Sequence, residues 1–302
     1  MTNKIQDQWA QWLLQRRHGG DPQVLEAMLS TLSQVRNTLL QNARIRPGNT
    51  LLDVGCGDGL IAFGAIPLVG ERGKVIFCDI SQNLLDHCHT LAQQMGILDR
   101  CQFLQASADN LHMIESNSID VVTARSVLVY VKNKKKALQE FYRVLKPRGR
   151  LSIFEPIPSF MYPEPPNLLS GYDVTPIMPL AKKLRAVYER FQSAQTGSMS
   201  DFTERDLLKF LEEVGFPEIY LALQIGIVPG TSENIPPAAQ KPSWEAFLKS
   251  SLNPLTPTLE EVIHQALTAD EADQFIKYLR PLVETRQRVD RSAVAYLGGV
   301  KY

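Results

Sequence analysis

Three glycines at every second position, Gly55, Gly57 and Gly59, with Asp53 before them and Cys56 and Asp58 between them, form the stretch whose spacing points most directly to chemistry. Glycine has no Cβ, so a turn built from it can adopt positive φ and let the backbone come within contact distance of a ligand. Leu51, Leu52 and Val54 read as a short buried strand and Leu60 to Val69 as a helix, so the glycines sit where a strand turns into a helix. Asp53 stands at the strand's end, where a carboxylate could meet a cation. A second acid, Asp79, follows Gly55 by 24 positions and ends the β-rich run that begins at Lys74. In a doubly wound sheet a carboxylate at that place faces the cleft and accepts from both ribose hydroxyls of a nucleoside.

The elements that must position these residues follow in a regular order. Ser81 reads as an N-cap for a helix from Gln82 to Met95. Cys101 to Gln105 is a third strand, ending at Ala106-Ser107-Ala108-Asp109-Asn110-Leu111, and Ser118 to Thr123 is a fourth, leading to Ala124-Arg125-Ser126-Val127. A helix from Ala137 to Leu145 stops at Lys146-Pro147-Arg148-Gly149-Arg150 before a fifth strand, Leu151 to Phe154. The dinucleotide fingerprint fails, because Gly57 is not followed three places on by a third glycine, and no lysine follows the glycines as a phosphate loop requires.

From Ile45 to Pro156 the chain resembles the class I S-adenosylmethionine (SAM)-dependent methyltransferases, whose first motif is Asp-x-Gly-x-Gly-x-Gly. The resemblance implies a doubly wound α/β sheet of seven strands, order 3-2-1-4-5-7-6, with the last strand antiparallel. It implies SAM as cofactor, bound by Asp53, Gly55, Cys56, Gly57 and Gly59 of the first turn, by Asp79 and Ile80, by Ser107, Ala108 and Asp109, and by Arg125. Many relatives carry an acid for the adenine amino group where this chain has Ser107, and Asp109 is the nearest substitute. The sequence after the fourth strand lacks the Asn/Asp-Pro-Pro-aromatic motif of enzymes that act on nucleic-acid bases. A sulfonium methyl is already activated, so catalysis is largely positioning, with a base needed only where the acceptor carries a proton. His18, Tyr130, Glu155 and Tyr172 are the candidate bases, and the sequence does not choose among them.

Lys plus Arg equals Asp plus Glu at 32 each, which argues against the broad basic footprint of a nucleic-acid binder; Lys132, Lys134, Lys135 and Lys136 are the local exception. The expected acceptor is therefore a small molecule, methylated at O, C or N, against the alternatives of a nucleic-acid or protein acceptor and of a SAM-binding scaffold without turnover. Cys56, Cys78, Cys88 and Cys101 form no CxxC pair and suit reduced, buried thiols of a cytoplasmic protein. His87, Cys88 and His89 are adjacent on a helix and point about 100° apart, so no metal site is expected. No signal-peptide core and no apolar run of about 20 residues is present.

Residues 1–48 read as an N-terminal helical cap: Ile5, Trp9, Trp12 and Leu13 lie at helical spacing before Arg16 and Arg17, and a second helix spans Gln23 to Asn42. Residues 49–228 and 291–302 form the expected SAM-binding core. Pro156 to Pro179 reads as a proline-rich loop, followed by helices at Leu180 to Phe191 and Phe202 to Val214 and a strand at Glu218 to Val228. Residues 229–290 read as a helical insertion, Ser243 to Leu252, Thr258 to Leu267 and Asp270 to Arg288, before a last strand from Arg291 to Val300. The insertion leaves from the carboxyl end of one strand and returns to the start of an antiparallel one, so it is expected to cover the cofactor edge as a substrate lid. A role in a homodimer is the alternative.

Overall fold

The computed structural model describes residues 7–17, 19, 21–195, 199, 201–230, 243–251 and 253–302. In chain order the strands are β1 (Thr50–Val54), β2 (Lys74–Asp79), β3 (Cys101–Gln105), β4 (Ile119–Arg125), β5 (Leu145–Pro156), β6 (Leu168–Leu169), β7 (Tyr172–Asp173), β8 (Glu218–Pro229) and β9 (Val289–Val300). Seven of them make one sheet in the order β3-β2-β1-β4-β5-β9-β8, while β6 and β7 pair separately. β9 runs antiparallel to both β5 and β8, so β8 is parallel to the first five. Counted along the sheet, this is the expected order 3-2-1-4-5-7-6.

Both faces of the sheet are covered, as a parallel sheet requires. Register puts Leu51, Val75 and Val121 side by side on one face and Leu52, Ile76 and Val122 on the other. The first set packs under α2 (Pro22–Ala43), α3 (Leu60–Val69) and α4 (Gln82–Gln94), and the second under α5 (Lys134–Val144) and α8 (Glu204–Val214). Local signals end these helices where the sequence places them: Ser81 accepts from Leu84 N, Thr203 and Asp206 form a capping box, and Gly215 stops α8 at φ 101°.

The sequence reading needs correction in four places. The N-terminal helix is short: α1 (Gln8–Gln11) passes into a π-helical turn, Trp12–Arg16. β5 begins at Leu145, because Ile119 pairs with Leu145 and Val121 with Arg150, so residues 146–149 bulge out of a strand that already exists. The proline-rich stretch holds α6 (Pro158–Met161) and the β6–β7 hairpin instead of a plain loop.

The fourth correction concerns the insertion. Its helices α9 (Trp244–Lys249), α10 (Leu259–Ala266) and α11 (Ala269–Glu284) share a third core with α7 (Met178–Gln195) and with Tyr172. The apolar residues of the insertion, Trp244, Leu248, Leu259, Val262, Ile263, Phe275 and Leu279, are buried in that core, with Phe247 and Tyr278 packed against it. The cap is thus built from two chain segments, and removing residues 231–289 would strip α7 of its partners.

β8 and β9 pair over their full length, from Glu218 and Val300 to Pro229 and Val289, whereas β5 stops opposite Val294. A two-stranded ribbon, residues 225–229 and 289–293, therefore projects past the sheet and carries the insertion.

Candidate active site

The glycine turn is strained as its composition allows, with φ of 63° at Gly55, 57° at Gly57 and 84° at Gly59. A Cβ at Gly55 would stand 2.4 Å from Val127 Cγ2 and one at Gly57 2.9 Å from Leu13 Cδ2. A Cβ at Gly59 would meet Phe63 of the following helix, so this third glycine answers to packing. Gly59 also N-caps α3 without a side chain, and Asp53 supplies the missing acceptor: its Oδ2 takes Ala62 N–H at 3.1 Å and its Oδ1 the Thr123 hydroxyl at 2.8 Å. Asp53 is buried, and burial pushes its carboxyl up to about 7 against the Thr123 bond. It holds strand, turn and helix together and does not line the cavity.

In front of the turn lies a cavity of about 690 Å³, within the range of small-molecule sites. Gly55, Gly57, Asp79, Ile80, Ser107 to Asp109 and Arg125 line it, together with Tyr130, Val131, Pro156, Ser251 and Arg288. Asp79 is 7% exposed and accepts from Gly57 N and Ser81 N, each at 2.9 Å. Burial raises its pKa against those two bonds. Ser107 Oγ donates to Asp109 Oδ1 at 2.6 Å, so the serine and the acid form one polar unit where relatives have a single carboxylate. A more open depression of about 890 Å³ between α2 and α3 holds neither Asp79 nor Arg125, so the chemistry belongs to the first cavity.

The N-terminal segment closes the cavity from above. Asp7 accepts from the Ser81 hydroxyl at 2.7 Å and from Trp9 and Ala10 N–H, fixing α1 on the start of α4. Trp12 Nε1 donates to Ser251 O at 2.9 Å and Arg16 pairs with Glu261 at 3.2 Å, tying the other end to the insertion. Trp9 and Tyr130 meet edge to face at 5.0 Å, and the Arg17 guanidinium lies 5.4 Å over the Trp12 ring. Arg17 is held down to about 10, first by burial and then by the charge of Arg125.

The four candidate bases separate. His18 lies outside the described residues. Tyr130 reaches the cavity, but burial pushes its phenol up to about 12, so near neutral pH it is a donor and not a base. Glu155 is fully buried and accepts from Val127, Leu128 and Val129 N–H, bracing the loop after β4; burial pushes it up to about 7 against those bonds. Tyr172 is buried in the cap core against Phe247. Neither of the last two is on the rim. Cys56 is also off the lining, buried behind the turn.

Val24 and Met28 of α2, Lys132, Ser251 and Arg288 line the cavity without having been singled out for it. Val24 and Met28 belong to an ordinary apolar stripe, and Ser251 and Arg288 reach the site only through tertiary folding, so no local signal marks them. The basic run is partly spent on structure: Lys134 pairs with Asp201 at 2.8 Å and Lys135 with Glu213 at 2.8 Å.

A doubly wound sheet with this strand order, a glycine turn at its first strand end and an acid at the end of its second is the fold of the class I SAM-dependent methyltransferases. The chain belongs to the ubiE/COQ5 methyltransferase family, whose model matches residues 28–231. It is 32% identical over 188 residues to the ubiquinone/menaquinone biosynthesis C-methyltransferase UbiE of Escherichia fergusonii, covering 61% of this chain and 73% of that protein. The Escherichia coli O1:K1 UbiE is 31% identical over the same length, with the same coverage of each chain. Among solved structures, the YcgJ protein of Bacillus subtilis aligns with TM-score 0.52 at 16% identity, over 89% of this chain and 98% of that one. The [4+2]-cyclase SpnF aligns with TM-score 0.50 at 19% identity, over 89% and 81%. These two likenesses concern the fold alone. No helix among the described residues is long and apolar enough to cross a membrane.

Proposed function

We propose that the protein transfers a methyl group from SAM to a carbon of a small, ring-bearing acceptor held between the strand ends and the cap. The observation that carries this reading is the single cavity that runs from the Gly55–Gly57 turn and Asp79 at one end to Tyr130, Val131 and the capping residues Trp9, Trp12 and Ser251 at the other. The residues fit the cofactor: Gly55 and Gly57 present bare backbone to the cavity, Asp79 would accept from the ribose hydroxyls, Ser107 and Asp109 would meet the adenine edge, and Arg125 would pair with the methionine carboxylate. Bound there, SAM supplies a methyl already activated for displacement.

The chain's own work is binding, orientation and exclusion of water. Trp9, Trp12, Leu13 and Met28 offer flat or flexible apolar surface to a ring. The strap from Asp7 to Arg17, fastened at both ends, and the cap behind it shield the cavity from solvent. The C-methyltransferase relatives support carbon as the attacked atom. The pairing of Lys134 and Lys135 removes half of the basic run from any nucleic-acid surface. Incubation with methyl-labelled SAM and a fractionated metabolite extract tests the proposal. A labelled small molecule is the expected result, and label found only in protein or nucleic acid would overturn it.

A further inference from the structure

The charges on the cavity wall do not balance. Arg17, Arg125, Lys132 and Arg288 line it, against Asp79 and Asp109. Arg288 pairs with Asp290, a carboxylate it shares with Arg286. Arg17 and Arg125 have no ion pair or side-chain hydrogen bond among the described residues, and the charge of Arg125 adds to burial in holding Arg17 down to about 10. Asp58, the carboxylate that acts favourably on Arg17, forms no ion pair with it. Two guanidinium groups sharing one partly desolvated space are costly without anions.

The cofactor proposed above brings one carboxylate but also two cationic groups, so it leaves the excess in place. Nor does the wall offer a free base: Asp79 is engaged by two backbone N–H groups, Asp109 by Ser107, and Tyr130 holds its proton. An acceptor that enters already ionised meets both conditions, because it needs a counter-cation and not a base. Arg17 is placed for that task. It rides on the covering strap and its guanidinium is steadied on the Trp12 ring, whereas Arg125 extends from the end of β4 on the sheet side.

We infer that the methyl acceptor is an oxyanion, an aromatic acid or an acidic ring hydroxyl in its ionised form, and that Arg17 is the specificity-determining residue that pairs with it while Arg125 serves the cofactor. This rests on the small-molecule reading above. A guanidinium fork matches a carboxylate in two parallel hydrogen bonds, and a charged hydrogen bond sets the expected discrimination at about ten- to a hundredfold.

The test is calorimetric titration of the full chain, saturated with S-adenosylhomocysteine, with 1-hydroxy-2-naphthoate, its uncharged 2-carboxamide, and 2-naphthoate. Both acids should bind at least tenfold more tightly than the amide. Arg17→Gln should erase that preference, Arg17→Lys should keep part of it, and neither should change the affinity for S-adenosylhomocysteine by more than a few-fold. Binding of the amide as tightly as the acids, or of none of the three, overturns the inference and leaves methyl transfer to a neutral acceptor standing. A loss of S-adenosylhomocysteine affinity in Arg17→Gln with the acid preference intact also overturns it, because Arg17 would then serve the cofactor. Acid preference in a protein that labels no small molecule from SAM keeps the inference and defeats the reading it rests on.

Discussion

Asp79→Asn separates what the acid does for the fold from what it does for the cofactor. In the structure Asp79 is nearly buried, with one oxygen on Gly57 N–H and the other on Ser81 N–H. Burial raises its pKa above the ordinary 3.8, so folding favours the protonated form. Its contribution to stability is then full below about 3.8 and is lost as pH rises through the folded value. Ribose binding has the opposite sign, because the ionised carboxylate is the better acceptor, and cofactor affinity should rise over the same window. Asparagine keeps the shape and one acceptor oxygen. One backbone hydrogen bond is lost, at about 1 kcal/mol, and relief from ionising a buried acid offsets it at pH 8, so the unfolding free energy there should move by no more than about 1 kcal/mol. On the cofactor side the lost charged acceptor is worth about 1.5 to 3 kcal/mol, or ten- to a hundredfold in affinity. Titration with S-adenosylhomocysteine at several pH values should show wild-type affinity rising with pH and a weak, flat response in the variant. A variant with wild-type affinity, or with the pH dependence intact, would refute the assignment of Asp79 to the ribose.

Gly55→Ala should lower S-adenosylhomocysteine affinity and cost about 1 to 2 kcal/mol of stability, because it combines a φ of 63° with a Cβ 2.4 Å from Val127; chemical denaturation and titration together read both effects. Asp53 is held up at about 7 from 3.8, so its contribution to stability is full below about pH 4 and is lost as pH rises to about 7; the stability difference between wild type and Asp53→Asn should narrow over that interval and stay level above it in thermal melts. Leu184→Ala removes a fully buried side chain from the core shared by α7 and the insertion and should cost about 2 to 5 kcal/mol, with limited proteolysis showing the cap opened as one unit.

The part of the fold written in short-range patterns was legible. Buried strands such as Leu51 to Val54, the cap at Ser81 and the stop at Gly215 depend on neighbours a few residues away, and the structure places them there. Roles that depend on where a side chain points were not. Asp53, read as a carboxylate open to a cation, turns inward because the N-cap of α3 is a glycine with no side chain to accept from Ala62 N–H, which Asp53 takes instead. Glu155 sits at the correct strand end but is drawn beneath the loop by three backbone donors. The apolar residues of the insertion showed its helical content but not that α7 shares their core, since a helix stripe says that a face is buried and not against what.

The ribbon formed by residues 225–229 and 289–293 gives the molecule a mechanical asymmetry. The cofactor end of the cavity rests on strands each flanked by a neighbour through the strand ends, a stiff plate. The other end is covered by the cap, carried on a two-stranded arm that leaves the sheet where β5 stops, on α7, and on backbone bonds from Ile157 to Ala293 and from Val289 to Gly171. What latches it shut is the Trp12 to Ser251 bond and the Arg16 to Glu261 pair, both made by a strap whose other end is pinned to α4. Under the proposed function the two ends of the cavity therefore differ in what holds them: the nucleoside would rest on the sheet itself, and the acceptor would be enclosed by side-chain ties between strap and cap.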